Sequence, residues 1–150
     1  MTFNSLAGFF VLLITTTAAL ADQSNLRLEQ NRSSDLNDRK ITSIGALQFK
    51  KDMEAHIDLV HRESDIVGDS LALDFGGGYV FRGTISLFLG AGISLDYNLD
   101  VDEFNDQYYA EAGLVLDLTK KLGITVRQQH FFHQPDDYEK VIMLGVLFRH

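Results

Sequence analysis

The chain has 150 residues, a formal net charge of −8 and no cysteine. The length suits one domain, and the absence of cysteine excludes a disulfide scaffold, a thiolate metal site and a catalytic cysteine. The acidic balance argues against a nucleic-acid partner, because no basic surplus can replace the counterions of a phosphate backbone.

The N-terminal segment differs from the rest of the chain. Residues Ser5–Ala21 carry no charge, and an apolar run over Leu6–Ile14 is followed by small residues that end in ALA at 19–21. This pattern is typical of a cleaved secretion signal, although no basic residue precedes the run. The alternative is a membrane anchor, but the run is shorter than the roughly 20 residues that span a bilayer. We therefore predict a signal peptide over 1–21.

A polar segment at 22–40, rich in Asn, Ser, Asp and Arg, comes next and holds at most one weak strand near Asn25–Gln30. From 41 to 150, apolar side chains recur at every second position, as in the stretch Ile85–Tyr97. A period of two indicates strands. The predicted strands are 41–50, 53–62, 70–82, 84–97, 107–118, 121–133 and 138–149.

The predicted connections alternate in length. The short ones are Lys51-Asp52, Arg82-Gly83 and Thr119–Lys121, and the longer ones are Glu63–Asp69, Leu99–Asp106 and His133–Asp137. A meander produces this alternation when all turns of one kind lie at one end. Bacterial membrane barrels have such an asymmetry, with short turns at one end and longer loops at the other.

Each predicted strand has one apolar face and one face that carries charges and glycines. A soluble barrel would bury the apolar face, whereas a membrane barrel turns it toward lipid. The glycines favour the membrane barrel, because glycine weakens an exposed strand but makes room inside a narrow barrel. The predicted lipid-facing residues are Leu73, Phe75, Leu87, Leu89, Ile93, Leu114, Leu116, Ile124, Ile142, Leu144, Val146 and Phe148.

The opposite face is predicted to line the barrel interior. Its charges have both signs, which lets acids and arginines pair as buried ions require. The predicted interior polar residues are Asp58, Arg62, Asp74, Glu111, Arg127 and Arg149, with Arg82 as a further partner for the acids. At the ends of the apolar face, Tyr97 and Tyr108 on one side and Phe81 and Phe148 on the other are typical of the two aromatic girdles of a membrane barrel.

The last ten residues, VIMLGVLFRH, resemble the closing strand of bacterial outer-membrane β-barrels, in which an alternating apolar strand ends at an aromatic residue. The insertion machinery recognises that residue, so the resemblance implies the barrel-assembly machinery as a partner. Here His150 occupies the terminal position in place of an aromatic hydrocarbon ring.

The region 41–150 as a whole is similar to small eight-stranded outer-membrane barrels. The resemblance implies an all-β, antiparallel up-and-down transmembrane barrel in the bacterial outer membrane, in contact with outer-membrane lipid and lipopolysaccharide. Such barrels have even numbers of strands, and only seven are clear here. We therefore expect an eighth strand within 22–40; an incomplete barrel, or one closed by oligomerisation, is the alternative.

The segment Arg127–Glu139 faintly resembles lipid A deacylases, outer-membrane barrels whose pattern is a histidine, a serine two residues later and an acid further on. The resemblance implies His130 as the base and Glu139 as the orienting acid. Phe132 stands where the serine nucleophile would be, and without a hydroxyl there acyl transfer by this route cannot run.

No cofactor or metal site is predicted. His130 and His133 would point to opposite faces of a strand, and the acidic stretch Leu99–Asp106 lacks the glycine and spacing of a calcium loop. A barrel of this size is filled by side chains, so no pore is expected. The sequence favours a non-catalytic barrel with a structural or surface-interaction role. The alternatives are a lipid-modifying enzyme on the same fold and a soluble, lipocalin-like binder with its apolar face inward.

Overall fold

The computed structural model describes residues 23–32, 40–64, 68–134 and 137–149, which form a closed antiparallel barrel. Its strands are β1 (Gln23–Arg32), β2 (Lys40–Lys50), β3 (Met53–Glu63), β4 (Ser70–Phe81), β5 (Ile85–Asn98), β6 (Glu103–Asp117), β7 (Leu122–Gln134) and β8 (Asp137–Arg149). Each strand pairs with the next in sequence, which confirms the predicted up-and-down topology. No helix in the described ranges is long and apolar enough to cross a bilayer. The predicted signal segment 1–21 and His150 lie outside the described residues.

Strand β1 closes the barrel by pairing with β2 on one side and with β8 on the other. It lies within 22–40, the segment in which an eighth strand was expected. Leu26 and Leu28 point outward from it, whereas Arg27 and Glu29 are buried in the interior. The apolar period of two is therefore present in β1, but charged interior residues mask it in the sequence.

The hairpin between β5 and β6 is longer than predicted. Six of the seven predicted strands agree with the structure to within one residue at each end, but β6 begins at Glu103. The prediction of a loop over Leu99–Asp106 is therefore wrong, and only 99–102 form the turn. The Asn98 side chain accepts a hydrogen bond from the Asp100 backbone N–H at 2.9 Å, and Asp102 has a positive φ of 59°. Asx turns of this kind reverse the chain in few residues, and acidic residues remain compatible with a strand that faces water.

The barrel has two distinct ends. We call the end with the short turns at 51–52, 82–84 and 118–121 the turn end, and the opposite end, with the turn at 99–102, the loop end. An apolar layer near the loop end comprises Ile41, Val60, Ala72, Tyr109, Phe131, Val141 and Met143. A second apolar layer near the turn end comprises Leu47, Phe49, Val80, Phe88 and Leu147. The sequence had predicted ions and glycines inside the barrel, but not these apolar layers.

Two glycines show how the narrow interior is filled. A Cβ on Gly92 would overlap the Tyr109 ring, and a Cβ on Gly45 would overlap the Asp58 carboxylate. Both large side chains are almost completely buried. The glycines are therefore required because bulky residues from other strands occupy the space next to their backbones.

Candidate functional site

The outer surface of the barrel is a continuous apolar band. Of the residues predicted to face lipid, ten are exposed, and Leu73 and Ile93 are half-buried next to the inward-pointing Asp74 and Ser94. Every strand contributes at least one exposed large apolar side chain. One such residue from each strand is Leu28, Ile44, Met53, Phe75, Leu89, Leu114, Ile124 and Leu144. Soluble monomers rarely expose contiguous apolar patches beyond a few hundred Å². An apolar band that encircles the barrel is instead typical of a surface in contact with the hydrocarbon of a bilayer.

Exposed aromatic residues lie at both edges of the band. Tyr97 and Tyr108 lie toward the loop end, and Phe81 and Phe148 lie toward the turn end. The structure adds further exposed aromatics to both groups: Phe104 and Phe132 at the loop end and Tyr79 at the turn end. Two such rings at opposite edges are typical of barrels that cross a bilayer, where aromatic side chains lie at the interfaces.

A cluster of buried ions, here called the central ion cluster, lies between the two apolar layers. Its hub is Arg127, which donates to Glu29 at 2.7 Å, to Asp58 at 3.0 Å and to Glu111 at 3.2 Å. Arg27 donates to the same Asp58 carboxylate at 2.6 Å. Because these side chains are almost fully buried, each charge depends on its partners to offset the loss of hydration.

The remaining members of the central ion cluster surround His56. Its Nδ1 lies 3.4 Å from Glu54, its Nε2 lies 3.3 Å from Glu111, and the Tyr109 hydroxyl lies 3.1 Å from the same Nε2. Glu54 and His56 belong to β3, whereas Tyr109 and Glu111 belong to β6. The cluster therefore links β1, β3, β6 and β7 across the lumen and fills it at mid-height.

A separate ion pair lies toward the loop end. Arg62 donates to Asp96 at 2.7 Å and to Ser94 at 3.2 Å, and it lies 3.6 Å from Asp74. Its guanidinium also stacks over the Phe131 ring, 5.3 Å from the ring centre. The interior acids thus have arginine partners at two heights in the barrel.

The residues predicted to line the interior are distributed between these groups. Asp58, Glu111 and Arg127 belong to the central ion cluster, Arg62 and Asp74 to the loop-end pair, and Arg149 pairs with Asp117 at the turn end. Arg27 and Glu29 were not among the predicted interior residues. The signal was present as the alternation Leu26-Arg27-Leu28-Glu29.

The prediction that Arg82 pairs with interior acids is wrong. Arg82 is exposed at the turn end, where its guanidinium donates to the Lys51 backbone carbonyl at 2.7 Å and stacks over Phe49. The reason is its position just after the last residue of β4, Phe81, where the strand has left the closed part of the barrel.

Comparisons with known proteins give similarity in structure alone. No family profile matches the chain, and no curated protein matches its sequence. The N-terminal β-barrel domain of Pseudomonas aeruginosa OprF is similar, with a TM-score of 0.65 and 17% identity over 87% of this chain and 98% of that one. Neisserial surface protein A is similar with a TM-score of 0.63 and 14% identity over 85% of this chain and 95% of that one. The chain has the fold of the eight-stranded outer-membrane β-barrels.

An outer-membrane enzyme also shares this barrel fold. PagL is similar with a TM-score of 0.53 and 15% identity over 83% of this chain and 98% of that one. Within the barrel of the present chain, His130 is half-buried on the outer face of β7 and contacts the Gln128 side chain. The register pairs His130 with Ala110 and Lys140, whereas position 139 pairs with Phe131 on the other face of the sheet.

Among the described residues, the strand register places no serine or threonine beside His130 on the outer face. The outward-facing position two residues along the strand is Phe132, which pairs with Tyr108 and Tyr138. A histidine needs a nearby nucleophile and an orienting acid to drive acyl transfer. The described ranges also contain no group of three or more residues arranged to hold a metal ion.

Proposed function

We propose that this protein spans the bacterial outer membrane as a small, non-catalytic barrel with a closed lumen, and that its role is structural or one of surface interaction through its loop end. The observation that carries the proposal is the continuous apolar band around an interior whose middle is filled by paired ions. This arrangement is the reverse of a soluble barrel, in which the apolar face would surround the interior.

The filled lumen argues against a channel. The central ion cluster occupies mid-height, and an apolar layer lies on each side of it. Water would have to displace both apolar layers and break buried ion pairs to form a continuous path. A barrel of this strand number is just wide enough for its own side chains.

The described part of the loop end supports a surface role because it is acidic and because hydrogen bonds join two of its segments. The Asp69 backbone N–H donates to the Asp100 carboxylate at 2.9 Å, and the Leu99 N–H donates to the Asp69 carbonyl at 2.8 Å. These bonds tie the β3–β4 connection to the turn between β5 and β6. With Asp102, Glu103 and Asp106 nearby in the sequence, this end has a strongly acidic face. It suits contact with lipopolysaccharide through divalent cations, since both partners carry negative charge.

We also propose two partners for the barrel wall. Outer-membrane lipid would contact the apolar band, and the barrel-assembly machinery would recognise β8. Outward-pointing Ile142, Leu144, Val146 and Phe148 give β8 the alternating apolar face of a closing strand.

A lipid-modifying role for the His130 region is the less favoured candidate. Its support is the fold shared with the enzyme PagL and the position of His130 near the loop-end edge of the apolar band. Against it stand the phenylalanine at 132 and the register, which does not pair position 139 with His130.

Cell fractionation combined with gel mobility tests the proposal. We expect the full-length protein, expressed in a Gram-negative host, to be recovered in the outer-membrane fraction and to require detergent for extraction. An unheated sample should migrate differently from a heated one, because the barrel stays folded until boiled. Recovery in the soluble periplasmic fraction without detergent would contradict the proposal. A change in the mass of lipid A that depends on His130, seen by mass spectrometry of cells with wild-type protein and with His130→Gln, would replace it with the enzyme hypothesis.

A further inference from the structure

A cavity of about 480 Å³ opens at the turn end of the barrel. Small-molecule pockets typically enclose about 300–1,000 Å³, so the cavity is large enough for a small organic ligand. Its inner wall is formed by Phe49, Val80, Phe88 and Val115, which belong to or pack against the apolar layer of the turn end. The cavity is thus an apolar recess in the mouth of a barrel whose middle is filled by ions.

The rim of the cavity is basic. Arg82, Lys120 and Arg149 line it, with Asp117 as the acid that pairs with Arg149. Arg82 is held in place by two hydrogen bonds to the Lys51 carbonyl and by its stacking on Phe49. A guanidinium has five N–H donors, so Arg82 retains donors for a ligand. Lys120 has no acidic partner among the described residues.

Basic residues outnumber acidic ones in the described part of the turn end. Its described turn residues and strand ends include six basic side chains: Lys50, Lys51, Arg82, Lys120, Lys121 and Arg149. Only Asp52 and Asp117 oppose them there. The protein as a whole carries a net charge of −8. The described turn end therefore has an excess of basic residues in an acidic protein, and this excess attracts anions to the opening of the cavity.

The floor of the cavity holds a buried acid. Glu54 lines it and is almost fully buried, and its Oε1 atom lies 3.4 Å from His56 Nδ1 and 3.9 Å from the Arg27 guanidinium. This carboxylate offers no donor to an anionic group, whereas the basic rim does. A ligand with a single anionic head would therefore bind with the head at Arg82 and Lys120 and with its apolar body against Phe88 and Val115.

From this arrangement we propose that the turn-end cavity is a binding site for an amphiphilic organic anion: a carboxylate or phosphate head on a single short alkyl chain. Three features indicate this class of ligand: the basic rim, which complements an anionic head, the apolar inner wall, and the acid at the floor. The chemistry is shared by free fatty-acid anions and by phosphate-headed single-chain lipids. This site is independent of the surface role proposed for the loop end.

Titration of the full barrel in phosphatidylcholine nanodiscs tests this site with matched probes. Octanoate, octyl phosphate and octyltrimethylammonium have the same chain and differ in the head. We expect saturable binding of octanoate, octyl phosphate or both, by calorimetry corrected for empty nanodiscs, with NMR shifts at the amides of Val80, Phe88 and Val115. Binding of octanoate indicates a fatty-acid source, and binding of octyl phosphate alone indicates a phospholipid-derived one. Equal binding of octyltrimethylammonium, or no saturable binding of either anion, would overturn the proposal.

Two adjacent lysines provide the matched variants. Lys120→Gln removes a rim charge and should weaken anion binding by about fivefold, the effect of one favourable exposed charge pair. Lys121→Gln removes the same charge from the next residue, which does not line the cavity, and should leave the affinity unchanged. Equal weakening by both substitutions would show attraction to the basic end in general and would overturn the assignment to the cavity. Both residues are exposed, so neither change should affect folding, and the gel shift of the unheated barrel verifies this.

Discussion

Replacing Arg127 by methionine is expected to lower the free energy of unfolding by about 3–5 kcal/mol, the usual cost of removing one partner from a buried ion pair. Arg127 is the hub of the central ion cluster and bonds to Glu29, Asp58 and Glu111. Methionine is similar in length but leaves three carboxylates with one guanidinium, that of Arg27, among them. Their hydration is not restored, because Glu29, Asp58 and Glu111 are almost completely buried.

Urea unfolding in detergent or lipid measures this effect, with unfolding monitored by the loss of the unheated gel band. Lys40→Met is the matched control, because Lys40 pairs with Glu63 at 3.2 Å while both side chains remain about half exposed. Exposed pairs contribute about 0–1 kcal/mol, so the control should change the unfolding free energy little. Equal effects of the two substitutions would mean that the interior of the barrel is hydrated and that the lumen is not closed.

The second large effect is expected on the outer surface. Leu144→Arg should destabilise the barrel in lipid by about 2–4 kcal/mol, the cost of a charged side chain near the middle of the bilayer. Leu144 is 58% exposed at the middle of β8 and pairs with Val126 on β7 and Gln30 on β1. On a soluble protein an exposed leucine would tolerate arginine, since such surface changes usually stay within about 0.5 kcal/mol.

The control for Leu144 is a leucine with similar exposure outside the apolar band. Leu99 is 51% exposed and lies in the turn between β5 and β6 at the loop end. Leu99→Arg should therefore leave the stability in lipid almost unchanged. Urea unfolding of both variants in vesicles provides the comparison, and a Leu144→Arg barrel as stable as wild type would place this surface in water.

The recurrence of apolar residues at every second position was sufficient to predict most of the barrel. It placed seven strands because each strand has an apolar outer face, and the even strand count of membrane barrels then pointed to β1. The boundary of β6 could not be predicted from the same signal. Asp106 interrupts the outer face between Tyr108 and Phe104, so the apolar alternation breaks there although the strand continues to Glu103.

The composition of the interior was harder to predict than its polarity. Charges and glycines on one face indicated a narrow lumen, but residues such as Phe88 and Leu147 occupy the same face as Arg127. Their role depends on height along the barrel axis, which follows from the stagger of the strands and not from alternation within one strand. The ion partners of Arg127 are separated from it by up to 98 residues, so local patterns could not identify them.

The turn-end cavity could not be predicted from the sequence at all. Its basic rim combines Arg82, Lys120 and Arg149 from three separate parts of the chain. Arg82 was assigned to the interior because parity along β4 was extended past the end of the strand. Only the closed barrel shows that these side chains surround one opening.

The leucine-rich face of the barrel is expected to contact hydrocarbon. Because the chain has no cysteine, a single Leu144→Cys change allows one nitroxide label to be attached there, and Leu99→Cys provides the same label at the loop end. In vesicles, we predict that molecular oxygen relaxes the label at 144 efficiently and that a water-soluble nickel chelate does not, with the reverse preference at 99. A label at 144 that the nickel chelate reaches as readily as the label at 99 would contradict the account.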